Sequence, residues 1–250
     1  MGLEFDGKVA VITGGGSGVG LATAKFLAQK GSSVAILERS GEKLNEAVND
    51  IRALDTTRKI DGFLCDITSD NEVKTAFSKI TSKFGRVDFL INNAGINTQK
   101  KLDELTEDDI RLDIDVKING IIFCTREAVK IMNENGSIVN IASVTAYTVG
   151  VSSPSYYTGN AIANNLTKSL ALQLAGKKIR VNAVAPGFIY PTGFTQNYTK
   201  EQIKKISDAN PLKRVCSPDD VTKAIYFLLS DLSSYITGHT IHVNGGYYMN

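Results

Sequence analysis

The sequence predicts one α/β domain of the Rossmann type, a doubly wound parallel sheet of about seven strands flanked by helices. Short apolar runs rich in β-branched residues recur along the chain, and helix-length amphipathic segments separate them. This alternation over the whole length implies right-handed crossovers and a parallel sheet covered by helices on both faces. The 250 residues can bury a substantial core, and without a linker or low-complexity tract one domain over residues 1–250 is the simplest account.

Each element is placed by its apolar period. The runs predicted to form strands are residues 9–12, 34–37, 62–65, 87–91, 137–141, 180–184 and 240–243. The segments predicted to form helices are residues 19–26, 41–54, 71–84, 103–132, 156–175 and 219–229.

The first strand leads into residues 13–20, Thr-Gly-Gly-Gly-Ser-Gly-Val-Gly, where five glycines in seven residues force a tight turn. Val19, Ala22 and Phe26 then repeat at helical spacing, so the helix amides and dipole point back at the turn. Such a turn suits the pyrophosphate of a nucleotide. A P-loop is excluded because Leu21, and not lysine, follows Gly20.

The second predicted strand ends at Glu38, which lies 18 residues past Gly20. A carboxylate at that point can accept hydrogen bonds from ribose hydroxyls, and its charge would repel the 2′-phosphate of NADP. Arg39 argues the other way, because a guanidinium could bind that phosphate. We expect NAD as the cofactor, with NADP the less favoured choice.

Composition excludes several other classes. With 28 basic and 26 acidic residues the net charge is +2, which predicts no nucleic-acid or membrane partner. No apolar run reaches the ~20 residues of a membrane span, and no basic-then-apolar leader is present. The three cysteines are isolated, which favours a reducing cytoplasm. His239 and His242 would face opposite sides of a strand, so we expect no metal site.

Polar residues follow three later strands, at the sheet edge where ligands of such folds bind. Asp66 could accept from an adenine amino group; the alternative, helix capping, suits Ser69 better. Asn93 lies in the Asn-Asn-Ala-Gly segment after the fourth strand. Ser143 follows the fifth strand, and Tyr156 comes 13 residues later at the head of a helix. A hydroxyl and a phenol there could converge on one substrate oxygen, with the phenol exchanging a proton.

Together these landmarks resemble the short-chain dehydrogenase/reductase family over nearly the full length. The family implies hydride transfer between a nicotinamide cofactor and an alcohol or carbonyl. By that resemblance Tyr156 is the general acid/base, Ser143 orients the substrate oxygen, and Asn119 anchors a water in the proton relay. The residues expected to bind the cofactor are Gly14, Ser17, Gly18, Val19, Gly20, Glu38, Arg39, Asp66, Ile67, Asn93, Tyr156, Asn160 and Ile189.

One departure concerns the catalytic helix. The family motif Tyr-x-x-x-Lys is here Tyr156-Tyr157-Thr158-Gly159-Asn160, so Asn160 stands where a lysine belongs. In the family that lysine holds the nicotinamide ribose and depresses the tyrosine pKa. An asparagine amide can still donate to a ribose hydroxyl, but without a cation the phenol should stay near its ordinary pKa of about 10. A lysine from elsewhere in the fold could substitute.

Two functions follow from this sequence. The favoured one is an enzyme acting on a small alcohol or carbonyl of the polyol, sugar, hydroxy-acid or 3-oxoacyl type. The alternative is a catalytically impaired relative that binds nucleotide and serves a regulatory or assembly role. Residues 188–211 form either a partly apolar lid or a packed surface. Family members usually assemble as tetramers, so we expect a homo-oligomer, a tetramer or a dimer.

Overall fold

The computed structural model describes residues 4–54, 57–150 and 152–249. One seven-stranded sheet has the order β3-β2-β1-β4-β5-β6-β7, and every neighbouring pair is parallel. The strands are β1 Val9–Thr13, β2 Ser33–Glu38, β3 Ile60–Leu64, β4 Val87–Asn92, β5 Met132–Ile141, β6 Arg180–Pro186 and β7 Thr240–Val243. The predicted fold class is confirmed.

Eight α-helices connect and cover these strands in the described part of the chain. They are α1 Gly18–Gln29, α2 Gly41–Arg52, α3 Asp70–Phe84, α4 Glu107–Lys117, α5 Asn119–Ile131, α6 Pro154–Leu174, α7 Lys200–Ala209 and α8 Pro218–Leu229. Across the same residues, none of these helices combines the length and hydropathy needed to cross a membrane.

The strands read as unbroken apolar runs because both sheet faces are covered. Successive side chains alternate between faces, so Ala10 and Ile12 of β1 join one core cluster while Val11 joins the other. The first cluster includes buried residues of α1, α2 and α8, and the second includes those of α3 and α5. Two hydrophobic layers therefore hold the central strands rigidly between helices.

The predicted helix over residues 103–132 is wrong in detail, since the structure has two helices there. Helix α4 begins only at Glu107, because Thr106 accepts a hydrogen bond from the backbone of Asp109 and the Asp109 carboxylate accepts one from the backbone of Thr106. A break at Ile118, with φ −102° and ψ −69°, separates α4 from α5. The chain then enters β5 directly at Met132, five residues before the predicted start.

The strand order reverses between β1 and β4, because the chain builds β1 to β3 outward on one side and β4 to β7 on the other. In parallel sheets a ligand crevice forms at the carboxyl ends of the strands beside such a reversal. The glycine turn after β1 and the segment after β4 meet at this point. The crevice is therefore bordered by the residues that the sequence singled out.

Candidate active site

In the glycine turn, Gly14 and Gly20 have no room for a side chain. Gly14 has φ +62°, and a Cβ placed on it would lie 2.9 Å from Cα of Ala94. A Cβ on Gly20 would lie 2.2 Å from the carbonyl oxygen of Gly14. Helix α1 starts inside the turn at Gly18, so its first amides lack helical partners and face the crevice. A cradle of bare backbone at a helix N-terminus fits a dinucleotide pyrophosphate.

Asn93 and Thr13 tie this turn to the end of β4. The Asn93 amide donates to the carbonyl oxygens of Thr13, at 3.0 Å, and Gly14, at 2.9 Å. In return the Thr13 hydroxyl accepts from the backbone amides of Asn93 and Ala94, each at 3.0 Å. The sequence assigned Asn93 to the cofactor, but both amide hydrogens are used within the protein. Its side chain positions the turn.

Glu38 closes the outer end of the turn. Its Oε2 accepts from the backbone amide of Gly16 at 3.3 Å, and its Oε1 accepts from those of Arg39 and Ser40 at 3.0 and 3.3 Å. These bonds hold a carboxylate against the turn at the end of β2. The Arg39 side chain is exposed. The Glu38 carboxylate is therefore fixed in place beside the turn by backbone donors.

The segment after β3 is shaped by Asp66 and Ile67. Asp66 Oδ1 accepts from the backbone and hydroxyl of Thr68, at 2.9 and 2.8 Å, while Ser69 caps α3. The capping alternative for Asp66 is thus wrong. Ile67 is buried, and a Cβ on Gly120 would lie 2.4 Å from its Cδ1. Close packing on α5 fixes this side of the crevice.

The structure brings Ser143 and Tyr156 together at the carboxyl end of β5. Ser143 caps the short turn after the strand, where its Oγ accepts from the backbone of Thr145 at 3.2 Å. Tyr156 lies in the first turn of α6 and is half-buried. Burial raises the pKa of the Tyr156 phenol, while hydrogen bonding with the side chains of Ser143, Asn160 and Thr145 works in the opposite direction. Among the described residues, the charge of a cation is not one of the causes of this shift.

Asn160 has hydrogen-bond partners within the protein, and its expected contact with the ribose stays a prediction. It is 1% exposed, and its Nδ2 donates to the Thr145 hydroxyl at 3.2 Å and to the carbonyl oxygen of Tyr156 at 3.0 Å. An amide has two hydrogens to donate, so both are used inside the protein and neither is free for a ribose. Asn160 instead fastens α6 to the turn that carries Ser143.

Asn119 is also bonded within the protein, and the role that the resemblance gives it stays a prediction. Its amide donates to Asp115 at 2.7 Å, one helical turn earlier. Two residues along, Ile121 is buried in a cluster with Ala142 and Ala163, which defines the face toward β5 and α6. Helical residues two apart point about 200° apart, so Asn119 is turned away from that face. The water-anchoring role of Asn119 lacks the expected geometry.

The side chain on that face is Lys117, which the sequence analysis missed. Lys117 is 7% exposed, and its Nζ donates to the carbonyl oxygen of Ile141 at 2.8 Å. Burial lowers the pKa of Lys117 to about 8. The available signal was its spacing of four residues before the apolar Ile121, which places a lysine on the inward stripe of the helix.

Asp113 anchors the head of α6. It is 1% exposed, its Oδ1 accepts from the Thr98 hydroxyl at 2.9 Å, and its Oδ2 accepts from Ser153 at 3.0 Å and from Ser155. Ser153 in turn accepts from the backbone amide of Tyr156 at 3.1 Å. The turn that presents the phenol is therefore fixed from α4 by a buried carboxylate.

The segment after β6 lies beside the glycine turn. Ile189 pairs with Cys216, and its carbonyl oxygen accepts from the Thr195 hydroxyl at 2.9 Å. A Cβ on Gly18 would lie 3.7 Å from Cβ of Thr192, so this segment borders the turn. Helix α7, which we did not predict, follows it and has no fully buried residue. That arrangement favours the lid interpretation of residues 188–211 over a packed surface.

Comparisons with known proteins agree with this geometry. A family model described as enoyl-(acyl carrier protein) reductase matches residues 14–248. A 3-oxoacyl-[acyl-carrier-protein] reductase FabG from Thermotoga maritima is 37% identical over 246 residues, covering 98% of this chain and 99% of that protein. A 3alpha-hydroxysteroid dehydrogenase from Mediterraneibacter gnavus is 33% identical over 240 residues, covering 95% and 96%.

A solved structure adds a spatial comparison. A short chain dehydrogenase from Burkholderia cenocepacia J2315 in complex with NADP matches with a TM-score of 0.90 and 30% identity, covering 98% of this chain and 99% of that one. The similarity therefore extends from the glycine turn to the last strand.

Proposed function

Because the chain belongs to the short-chain dehydrogenase/reductase family, we propose that it transfers a hydride between NAD(H) and a small alcohol or carbonyl compound. The observation that carries this proposal is the pairing of Ser143 with Tyr156 at the carboxyl end of β5, next to the bare glycine turn. When bound, the nicotinamide supplies the hydride for reduction or accepts it for oxidation. The protein supplies the proton and holds the substrate oxygen.

Tyr156 is the proton donor in reduction. Its phenol donates a hydrogen bond to the substrate carbonyl oxygen and releases its proton to that oxygen as negative charge develops there. The Ser143 hydroxyl donates a second hydrogen bond and fixes the position of the same oxygen. In oxidation the direction reverses, and Tyr156 must act as a phenolate. The raised pKa of Tyr156 therefore favours reduction at neutral pH.

We infer that Asn160 stands at the position where the family carries a lysine. The neutral amide contributes hydrogen bonds to Thr145 and to the Tyr156 backbone, and no charge. The impaired-relative alternative rests on this residue alone. The intact Ser143–Tyr156 pair favours the enzyme.

The cofactor preference is proposed from Glu38. A carboxylate held by three backbone amides at the end of β2 can accept from the adenine ribose hydroxyls and would repel a 2′-phosphate. The related Burkholderia structure contains NADP, which is the competing choice. We propose NAD, with the turn residues Ser17, Gly18, Val19 and Gly20 along the pyrophosphate.

The remaining cofactor contacts are proposed from position. The Asp66 carboxylate and the backbone of Ile67 lie at the end of β3, where the adenine would rest. Ile189 lies just past β6, where its backbone would meet the carboxamide. For the substrate we retain the polyol, sugar, hydroxy-acid and 3-oxoacyl types.

Assembly and location are proposed on separate grounds. Leu172 on α6 is 82% exposed, an apolar side chain suited to an interface, and we propose a homotetramer or dimer that uses this helix. All three cysteines are free and buried, which fits the reducing cytoplasm. Sedimentation of wild type beside Leu172→Glu tests the first proposal.

The function is tested by titrating the protein with NADH and NADPH and by assaying turnover over a carbonyl panel of the four substrate types. We expect NADH binding, turnover on at least one type, and a loss of about 100-fold or more in Tyr156→Phe with binding retained. Binding without turnover would support the impaired relative. Failure to bind either cofactor would contradict both functions.

A further inference from the structure

Lys117 is a buried cation without an anionic partner. Over residues 4–54, 57–150 and 152–249, no carboxylate lies within ion-pair distance of its Nζ, and its hydrogen bond goes to a main-chain carbonyl. A buried ammonium that lacks a counter-ion is costly, so such residues are uncommon outside functional sites. The packing that keeps Lys117 inward therefore needs an explanation.

The position of the ammonium supplies one. Nζ lies at the carboxyl end of β5, on the carbonyl of Ile141, two residues before Ser143. Its aliphatic stem packs on α6 at Gly159, where a Cβ would lie 3.4 Å from Cγ of Lys117. Gly159 is the neighbour of Asn160 and lies within one helical turn of Tyr156. Lys117 thus lies at the interface between the strand end and the helix that form the site.

The ammonium also has donors to spare. Lysine carries three N–H groups, and Ile141 accepts from one of them. On the β4 side the neighbour is Gly95, and a Cβ there would lie 3.5 Å from Nζ. Gly95 carries no side chain that could bind the ammonium on this side. Two N–H groups of Lys117 are therefore left for further partners.

We propose that Lys117 supplies the cationic group of this active site, in the place of the lysine missing at position 160, and returns the proton to Tyr156. This inference rests on the proposed function. In reduction the substrate oxygen takes the phenol proton, leaving Tyr156 as phenolate. The Lys117 ammonium then gives one proton to that phenolate, directly or through one water, and the neutral amine takes a proton from solvent.

The charged neighbours are consistent with this role. On the same helix Asp113 lies one turn earlier, but its carboxylate is bound by Thr98, Ser153 and Ser155. On α6 the ionisable residues next to Gly159 in sequence are Tyr156 and Tyr157, while the segments after β4 and in β5 present backbone to Lys117 at Gly95 and Ile141. A pKa near 8 lets Lys117 hold a proton at pH 7 and still release it readily.

The first test compares Lys117→Met with Lys168→Met, an exposed lysine on α6 that serves as the matched control. We expect the turnover number in reduction to fall about 100-fold in Lys117→Met and to be unchanged in the control. The wild-type rate should decline as the pH rises through about 8, and this limb should disappear in Lys117→Met. An unaltered rate and pH profile would overturn the proposal.

A second test exchanges the two residues. Lys117→Asn should lose activity. The double variant that also carries Asn160→Lys should be at least 10-fold more active than Lys117→Asn. Asn160→Lys alone should bring no gain, since the wild type already has its cation. If Asn160→Lys alone raised turnover strongly, the wild type would lack a functional cation and the proposal would fail. Activity that depends on Tyr156 but not on Lys117 would leave the proposed function intact.

A third test needs neither cofactor nor turnover, and it does not require a Lys117 variant to be stable. The Lys117 Cε resonance of the free protein is followed by ¹³C NMR against pH in wild type, Tyr156→Phe and Tyr157→Phe. If the ammonium hydrogen-bonds the Tyr156 oxygen, removing that oxygen destabilises the charged form and lowers the pKa of Lys117. Tyr157→Phe should leave the pKa unchanged. Equal pKa values in all three proteins would overturn the proposal.

Discussion

Asn160 donates a hydrogen bond from its amide to the hydroxyl of Thr145, joining α6 to the turn that follows β5. Both of its amide hydrogens are used within the protein, so the residue holds Ser143 and Tyr156 in register. This role differs from ribose binding in what its loss should do. Structural positioning affects the stability of the free protein, whereas ribose binding affects only cofactor affinity.

Asn160→Ala is therefore expected to destabilise the free protein by about 1–3 kcal/mol, because buried partners lose their hydrogen bonds. Urea unfolding measures the change, with the exposed Asn165→Ala on the same helix as control. NADH affinity should change less than three-fold. A large loss of affinity at constant stability would instead favour a ribose contact.

Gly20→Ala should abolish NADH binding. The new Cβ would lie 2.2 Å from the carbonyl oxygen of Gly14 and 2.6 Å from Nδ2 of Asn93, so the turn must shift. Gly176→Ala is the matched control, because nothing lies within 4 Å of a Cβ there. Fluorescence titration of both variants checks the expectation, and normal NADH binding by Gly20→Ala would contradict this description of the turn.

Glu38→Gln should shift the cofactor preference toward NADPH. Removing the carboxylate charge removes its repulsion of a 2′-phosphate, and a change of about 10-fold in the ratio of the two dissociation constants corresponds to about 1.4 kcal/mol. Glu42→Gln, in the first turn of α2, provides a control for the loss of one negative charge nearby. An unchanged ratio would show that Glu38 does not set the preference.

Lys117→Met should stabilise the protein at neutral pH. The pKa of Lys117 falls from 10.5 to about 8 on folding, so the unfolded chain binds more protons between these values. The cost of burying the charge is therefore fully present below pH 8 and lost above pH 10.5, and it amounts to about 3 kcal/mol. The gain in unfolding free energy should be about 3 kcal/mol at pH 7 and less than about 1 kcal/mol at pH 10. Equal gains at both would mean that burial of charge is not the cause.

Oxidation of an alcohol should accelerate with pH up to and beyond 10. Its base is the Tyr156 phenolate, and burial raises the pKa of this phenol above its usual value of 10. The rate therefore follows the small phenolate fraction, which grows about ten-fold for each pH unit below the pKa. Measuring the turnover number of oxidation from pH 7 to 10.5 tests this. A plateau beginning near pH 8 would show that the pKa of this phenol is lowered from its usual value and not raised.

The sheet could be predicted because a strand buried on both faces carries an unbroken apolar run, as in Val9–Thr13. The helix break at Ile118 could not be predicted, since residues 103–132 have a continuous amphipathic pattern with no glycine or proline at the break. Helix α7 was missed because it is short, its apolar face rests on Ile203 and Ile206, and it buries no residue completely.

Some side chains of the candidate site could be predicted from the sequence, and others could not. Ser143 and Tyr156 were found because strand and helix ends converge on one sheet edge. Asn119 was selected by its resemblance to a motif, whereas the packing of Ile121 and the hydrogen bond of Lys117 to Ile141 show which side of the helix faces the end of β5. The hydrogen-bond partners of Asn93 and Asn160 could not be predicted, because they are distant in sequence. They include the carbonyl of Gly14 for Asn93 and the hydroxyl of Thr145 for Asn160.

The buried Asp113 carboxylate has a consequence for how the enzyme tolerates change. Its oxygens accept hydrogen bonds from the hydroxyls of Thr98, in a loop, and of Ser153, at the head of α6. The Ser153 hydroxyl in turn accepts a hydrogen bond from the backbone amide of Tyr156. A disturbance in the loop at residue 98 would thus be passed through two side chains, Asp113 and Ser153, to the backbone of the residue that carries the reactive phenol. Variation in this loop can therefore alter proton transfer without changing any group that reacts.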